Sequence, residues 1–207
     1  MAGRRQAVIA ALDEGQRHVA AAERIEHLDR MGGRHVRIGI ALQDAHRPAG
    51  VERLARELPI RVRYTREPEQ GLNHARNHGI RASDSTYFCY VDDDILVAED
   101  WLAALFRAFE RNDADAVGGR IHLDPSVHLP KWIRPDADML GFLGHQDFGD
   151  RPFEMDGQTR YPFGGNMAFN RRVVERIGYF NPKLGRKGEG RKRTELFKGA
   201  ETDYFHR

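Results

Sequence analysis

Three consecutive aspartates, Asp92, Asp93 and Asp94, interrupt the run YFCYVDDDILVAEDW. Like charges this close repel, and a divalent cation relieves the repulsion. In extended backbone Asp92 and Asp94 point to one side and Asp93 to the other. An Asp-x-Asp pair of this kind suits a hard cation such as Mg²⁺ or Mn²⁺, which takes oxygen ligands and keeps room for substrate phosphates. The competing interpretation is a solvated acidic turn that caps the next helix. An apolar strand before the triplet favours the metal, because ligands of open α/β sheets bind beyond the carboxyl ends of strands. Two other uses of such carboxylates fit less well. A phosphatase with an aspartate nucleophile wants Thr or Val where Leu96 stands. An EF-hand loop wants a glycine and a terminal glutamate at a spacing this segment does not supply.

Positive charge gathers elsewhere. Lys183–Lys198 holds Arg186, Lys187, Arg191, Lys192, Arg193 and Lys198 among glycines. A separated acid cluster and basic segment can together hold a metal–phosphate ligand. Over the whole chain 33 basic residues meet 31 acidic ones, for a net charge of +2. That balance argues against a dedicated nucleic-acid binder, which carries a large basic excess. With 207 residues, 40% of them hydrophobic, the chain has material for one α/β domain with a real core. No run approaches the roughly 18–20 apolar residues of a membrane-spanning helix. The opening MAGRRQAVIAALDEGQ has too short an apolar run for a secretory signal, and Asp13 and Glu14 follow at once. The single cysteine, Cys89, excludes an internal disulfide framework and a multi-cysteine zinc site. A reducing compartment, the cytoplasm, is expected.

The elements that must position these groups alternate. Ala7–Leu12, Val36–Leu42 and Ile60–Thr65 read as strands, and 13–31 and 51–58 as helices. Gly71–Ala82 reads as a helix with Leu72, Ala75 and Ile80 inward. Thr86–Val91 is a continuous aromatic and β-branched run, as expected of a central strand covered on both faces. Asp100 is placed to cap a helix in which Leu102, Leu105, Phe106 and Phe109 share one face. Ala114–Leu123 reads as another strand. Asp124–Tyr161 is rich in Pro, Gly and Asp, the mark of a functional loop region. Asn170–Ile177 is a helix with Val173, Val174 and Ile177 on one face. Such alternation implies an α/β fold with a largely parallel sheet. Cys89, mid-strand, reads as core. Trp132, Phe148 and Phe153 read as packing residues, or as the lining of a ligand pocket. The histidines form no metal-site spacing, and only His206 lies close to another candidate residue.

Five segments, in order, resemble family 2 glycosyltransferases with the GT-A fold. They are LPIRVRYTREPEQGLNHARNHGI, YFCYVDDDILVAEDWL, DADAVGGRIH, PFGGNMAFNRRVVERIGYFNPKLGRKG and GAETDYFHR. The resemblance implies a GT-A-like, Rossmann-type, mostly parallel sheet flanked by helices in a single domain over 1–207, its C-terminal part short or truncated. Residues 1–124 would be the nucleotide-binding half and 125–207 the acceptor-side half. The implied activity is inverting transfer of a sugar from a nucleotide sugar, a UDP- or GDP-sugar, to an acceptor hydroxyl. The acceptor is a saccharide, a lipid-linked sugar or another alcohol. Asp92 and Asp94 would hold Mn²⁺ or Mg²⁺ against the diphosphate. Asp44, Arg76, Asp92, Asp93, Gly164, Gly165 and Asn166 would line the nucleotide-sugar site. Glu201 aligns with the catalytic base, with Asp203 as the alternative. Read from the residues alone, Glu201 is a carboxylate interacting with a helix N-terminus. The 183–198 loop could close over the diphosphate or make a peripheral contact at the cytoplasmic membrane face. A second reading is a nucleotide-sugar-binding homologue or fragment without transferase activity.

Overall fold

The computed structural model describes residues 6–11, 38–41, 61–92, 95–98, 100–134, 138–155, 160–186 and 199–207, with side chains from Thr65 onward. The expected helices at 13–31 and 51–58 lie outside these residues. Six strands make one sheet: β1 (Gln6–Ala11), β2 (Ile38–Ala41), β3 (Arg61–Arg66), β4 (Tyr87–Val91), β5 (Ala116–Gly118) and β6 (Asn166–Asn170). Their order across the sheet is β3-β1-β2-β4-β6-β5. The first four are mutually parallel, and β6 runs antiparallel to both β4 and β5. The helices are α1 (Leu72–Arg81), α2 (Trp101–Asn112), α3 (Arg171–Ile177) and α4 (Ala200–His206), with a 3₁₀ segment at Asp138–Leu143. The strands and helices form the expected α/β arrangement with a mostly parallel sheet. Among the described residues no helix is long and apolar enough to cross a membrane.

Side-chain alternation divides the core between the two faces of the sheet. Cys89 and Val91 of β4, with Ala168 of β6, face α2 and meet Leu102, Leu105, Phe106 and Phe109. Phe88 and Tyr90, with Met167 and Phe169, face the other way and meet Ile80, Val173, Phe180 and Tyr204. The register makes this possible, since Phe88 lies opposite Phe169 and Cys89 opposite Ala168. β4 is therefore covered on both faces, as its unbroken apolar run requires.

Three local features differ from expectation. Asp100 sits at the N-cap of α2 but makes no capping bond; its carboxylate accepts instead from Arg107 Nη2 at 2.7 Å. β5 stops at Gly118, short of the expected Leu123, and beyond Gly119 and Arg120 Ile121 bridges to Gln146. β6 is a strand in a stretch where the sequence pattern marked no element. Its five residues are all buried, and the closing Asn170 caps α3 by accepting from Val173 N–H.

Candidate active site

Because β1 to β4 are parallel, their carboxyl ends share one edge of the sheet. Asp92 follows β4 directly at that edge. β6 enters from the same edge, because its first residue, Asn166, lies opposite Val91. The turn Gly164-Gly165 is thereby set beside the end of β4. Both glycines are required by close approach rather than by backbone conformation. A Cβ at 165 would come to 3.2 Å from Asp92 Oδ2 and 2.6 Å from Ile95 Cδ1. A Cβ at 164 would collide with Arg76 Nη2 and would lie 2.5 Å from Glu201 Oε1.

Those two contacts identify the pair beneath Gly164. Arg76 Nη2 donates to Glu201 Oε1 at 2.7 Å. Arg76 comes from α1 and Glu201 from the first turn of α4, 125 residues later. The Arg76 side chain is 3% exposed and that of Glu201 is 21% exposed, so the cation lies behind the carboxylate. Its Nη1 reaches Asn73 Oδ1 at 3.4 Å. Its guanidinium lies 5.2 Å from the centre of the Phe180 ring and 5.8 Å from that of Tyr90. Its Nε is buried with no partner among the described residues. Burial alone would push the Glu201 carboxyl up. The charge and hydrogen bond of Arg76, with a bond to the backbone of Glu201 itself, outweigh burial and hold it below the usual carboxylate range.

A polar frame fixes this pair. Asn77 Nδ2 donates to Phe180 O at 2.8 Å, and its Oδ1 accepts from Phe180 N–H at 2.9 Å. Asn73 Nδ2 donates to the carbonyls of Asn181 and Leu184. The 180–186 segment is thus laced to α1, and Phe180 stacks on Tyr204 of α4 with ring centres 3.9 Å apart. His78 joins α1 to the end of β3, through Glu67 Oε2 at 3.0 Å and Thr65 Oγ1 at 2.5 Å. The sequence reading did not single out Asn73, Asn77, Glu67 or Phe180. The signal available for the two asparagines was the polarity they share with Arg76 on one side of α1.

Asn166 is buried, and its amide accepts from Trp101 Nε1 and donates to Arg120 O. It braces the glycine turn. Asp203 lies two residues from Glu201, about 200° around the helix, with Oδ2 at 3.4 Å from Arg207 Nη2. That guanidinium also donates to Ile177 O and Tyr179 O, which directs Asp203 toward a different surface. Asp44, Asp93 and Asp94 lie outside the described residues, as does 187–198 of the basic segment. Among the described residues no cluster of three or more His, Cys, Asp or Glu side chains is placed to hold a metal. The chemistry of the Asp92 carboxylate, a hard oxygen donor at the edge of the sheet, fits a divalent cation. Cys89 is fully buried, and burial pushes its thiol up to about 12, so it is packing material. Trp132 and Phe148 are exposed, and Phe148 makes an edge-to-face contact with Phe153. His206 is exposed.

The chain is similar to several glycosyltransferases. A glucosyl-dolichyl phosphate glucuronosyltransferase of Haloferax volcanii is 27% identical over 129 residues, which are 62% of this chain and 40% of that protein. The mannosyltransferase PcManGT of Pyrobaculum calidifontis, solved with GDP-Man and Mn²⁺, superposes with a TM-score of 0.53 at 18% identity, over 88% of this chain and 49% of its own. S. aureus TarS 1-349, solved with UDP-GlcNAc, gives 0.56 at 11% identity, over 87% of this chain and 49% of its own. The chain thus spans 40% of the curated relative and about half of these two structures. The family model described as glycosyl transferase family 2 matches residues 7–178, and the chain belongs to that family.

Proposed function

We infer that the chain is the catalytic core of an inverting, metal-dependent glycosyltransferase using a UDP- or GDP-sugar. The observation that carries this reading is that the carboxylates of Glu201 and Asp92 both pack against the side-chain-free turn Gly164-Gly165 at one edge of the sheet, with Arg76 bonded behind Glu201. The family and the nucleotide sugars named in the neighbouring structures support the donor class.

Asp92 and Asp94 would hold Mn²⁺ or Mg²⁺. When bound, that ion supplies positive charge against the charge developing on the diphosphate leaving group. Asp44 and Asp93 are read as contacts to the nucleoside. Gly164 and Gly165 let the Glu201 and Asp92 side chains pack against bare backbone, so the two carboxylates are held near one turn, where the donor sugar and the acceptor would meet. Glu201 takes the proton of the acceptor hydroxyl as that oxygen bonds to the anomeric carbon. The bond from that carbon to the diphosphate oxygen breaks on the opposite face, which inverts the centre. One positioned base of this kind contributes roughly 10²–10⁴-fold to rate.

The test is nucleotide release from GDP-mannose and UDP-N-acetylglucosamine with Mn²⁺, comparing the native chain with Asp94→Ala and Glu201→Gln. Both substitutions should lower turnover, Glu201→Gln by about 10²-fold or more. Unchanged turnover in both would refute the mechanism. A donor that raises the melting temperature without releasing nucleotide would identify a binding module instead.

A further inference from the structure

Resting on the reading of Glu201 as the base, we propose that Arg76 is a positioning residue. It orients the Glu201 carboxylate and keeps it ionised at the edge of the sheet, rather than contacting the donor as its motif suggests.

The geometry is that of a backstop. The guanidinium is almost wholly buried while the carboxylate keeps a fifth of its side-chain surface. A molecule arriving at the edge therefore meets Glu201 before Arg76. Asn73 bonds to the guanidinium, and the adjoining Phe180 and Tyr90 rings pack against it. Tyr90 Oη also donates to Arg76 O at 3.2 Å. Arg76 is thus anchored through both its backbone and its head group, and it cannot swing outward without breaking its bonds to Asn73 and Glu201. Gly164 leaves the space in which the pair forms.

The charges around Glu201 come from every packed element. From α1 the facing charge is Arg76. β4 brings Tyr90, whose hydroxyl burial pushes far above its usual range, so it stays neutral. Asp92 follows β4 on the Gly165 side of the turn. α4 itself brings Tyr204, also raised by burial, Asp203 with its partner Arg207, and His206. The 180–186 segment carries Lys183 and Arg186. Arg76 alone makes a charged hydrogen bond to Glu201 among the described residues. Without it, burial acts on the carboxyl unopposed and favours the protonated form, which cannot accept a proton.

The experiment is a carbon-13 NMR titration of the full chain, labelled at glutamate carboxyls, with Glu201→Gln to assign the signal. Native Glu201 should titrate below the ordinary glutamate range. Its midpoint should rise in Arg76→Met and in the milder Arg76→Gln, and return toward native in Arg76→Lys. A native midpoint within or above the ordinary range overturns the proposal, whether or not the variants fold. So does a midpoint that Arg76→Gln leaves unmoved.

Nucleotide release from GDP-mannose and UDP-N-acetylglucosamine with Mn²⁺ supplies the second readout. Arg76→Gln should lower kcat on the acid side by roughly tenfold or more, recover toward high pH, and leave the donor KM unchanged. A raised donor KM with an unmoved Glu201 midpoint makes Arg76 a donor contact and overturns the proposal. Full turnover in Glu201→Gln sinks the base assignment separately, with the effect of Arg76 on the carboxyl still measurable.

Discussion

Gly164→Ala tests the packing of the site with one methyl group. The added carbon would overlap Arg76 Nη2 and approach Glu201 Oε1 to 2.5 Å. A flexible side chain would swing aside at little cost, but neither partner has that freedom. The guanidinium bonds to Asn73 and packs beside the Phe180 and Tyr90 rings, and Glu201 is tied to it at 2.7 Å. Relief must come from breaking the ion pair or from moving the turn. Losing a charge-assisted hydrogen bond costs about 1.5–3 kcal/mol. Overpacking a filled site costs about 1–3 kcal/mol. Because relief through one reduces the other, about 2–4 kcal/mol is expected in total. Urea unfolding of Gly164→Ala measures it. Gly141→Ala is the control, since a Cβ there meets nothing within 4 Å. A loss below about 0.5 kcal/mol would refute the steric argument, since that is the range of ordinary surface substitutions. So would an undiminished loss in an Arg76→Gln background, where much of the obstacle is gone.

Asn77→Ala removes both bonds to the Phe180 backbone and should cost about 2–3 kcal/mol, whereas Asn112→Ala, exposed on α2, should change stability by less than about 0.5 kcal/mol; equal effects would contradict the lacing of α1. Native Cys89 should resist iodoacetamide at pH 8 and react only on unfolding, because its thiol is buried and raised to about 12; fast labelling of the folded chain would contradict that burial. Asp115 is held low by the Asn170 amide first, against burial, and then by Arg176 and Arg172. A lowered carboxyl binds fewer protons folded than unfolded, so its contribution is present above the unfolded carboxylate range and lost as pH falls through the folded value. Melting temperature measured from neutral to acid pH should therefore fall less steeply in Asp115→Ala than in the native chain.

The sheet was legible because its signals are local. YFCYV is an unbroken aromatic and β-branched run with no charged residue and no apolar–polar alternation, which suits a strand covered on both faces, and the structure supplies both covers. The four apolar positions on α2 follow helical spacing and are all buried. α1 was only half legible. Ala75 and Ile80 are buried as expected, but Leu72 is half-exposed, and Asn73, Arg76 and Asn77 are inside. Periodicity weighs apolar residues alone, and a buried amide is tolerated only when its partners are present. Here the partners stand more than 100 residues away, at Phe180, Asn181, Leu184 and Glu201. β6 was hidden for a related reason. NMAFN has an asparagine at each end and only three apolar residues between them, too little for a strand pattern to stand out. Each amide is satisfied by groups from distant segments, Trp101 and Arg120 for one and Asp115 for the other.

Those long-range amide bonds explain why the candidate site sits where it does. The two apolar clusters supply non-directional stabilisation, which would tolerate α4 sliding along the face of Phe169 and Phe180 by a fraction of a turn. A charge-assisted bond of 2.7 Å tolerates no such slide. The directional constraints come from Asn77 and Asn73, which set the 180–186 segment on α1, and from Phe180, which stacks on Tyr204 and so sets the rotation of α4. Asn166 does the equivalent for the glycine turn. Burying these amides is costly unless every bond is made. An apolar α1 would fold more simply, but it would leave Glu201 without a fixed partner at the edge beside Asp92. Departure from the simple hydrophobic pattern is concentrated where orientation matters most, as expected of a functional site.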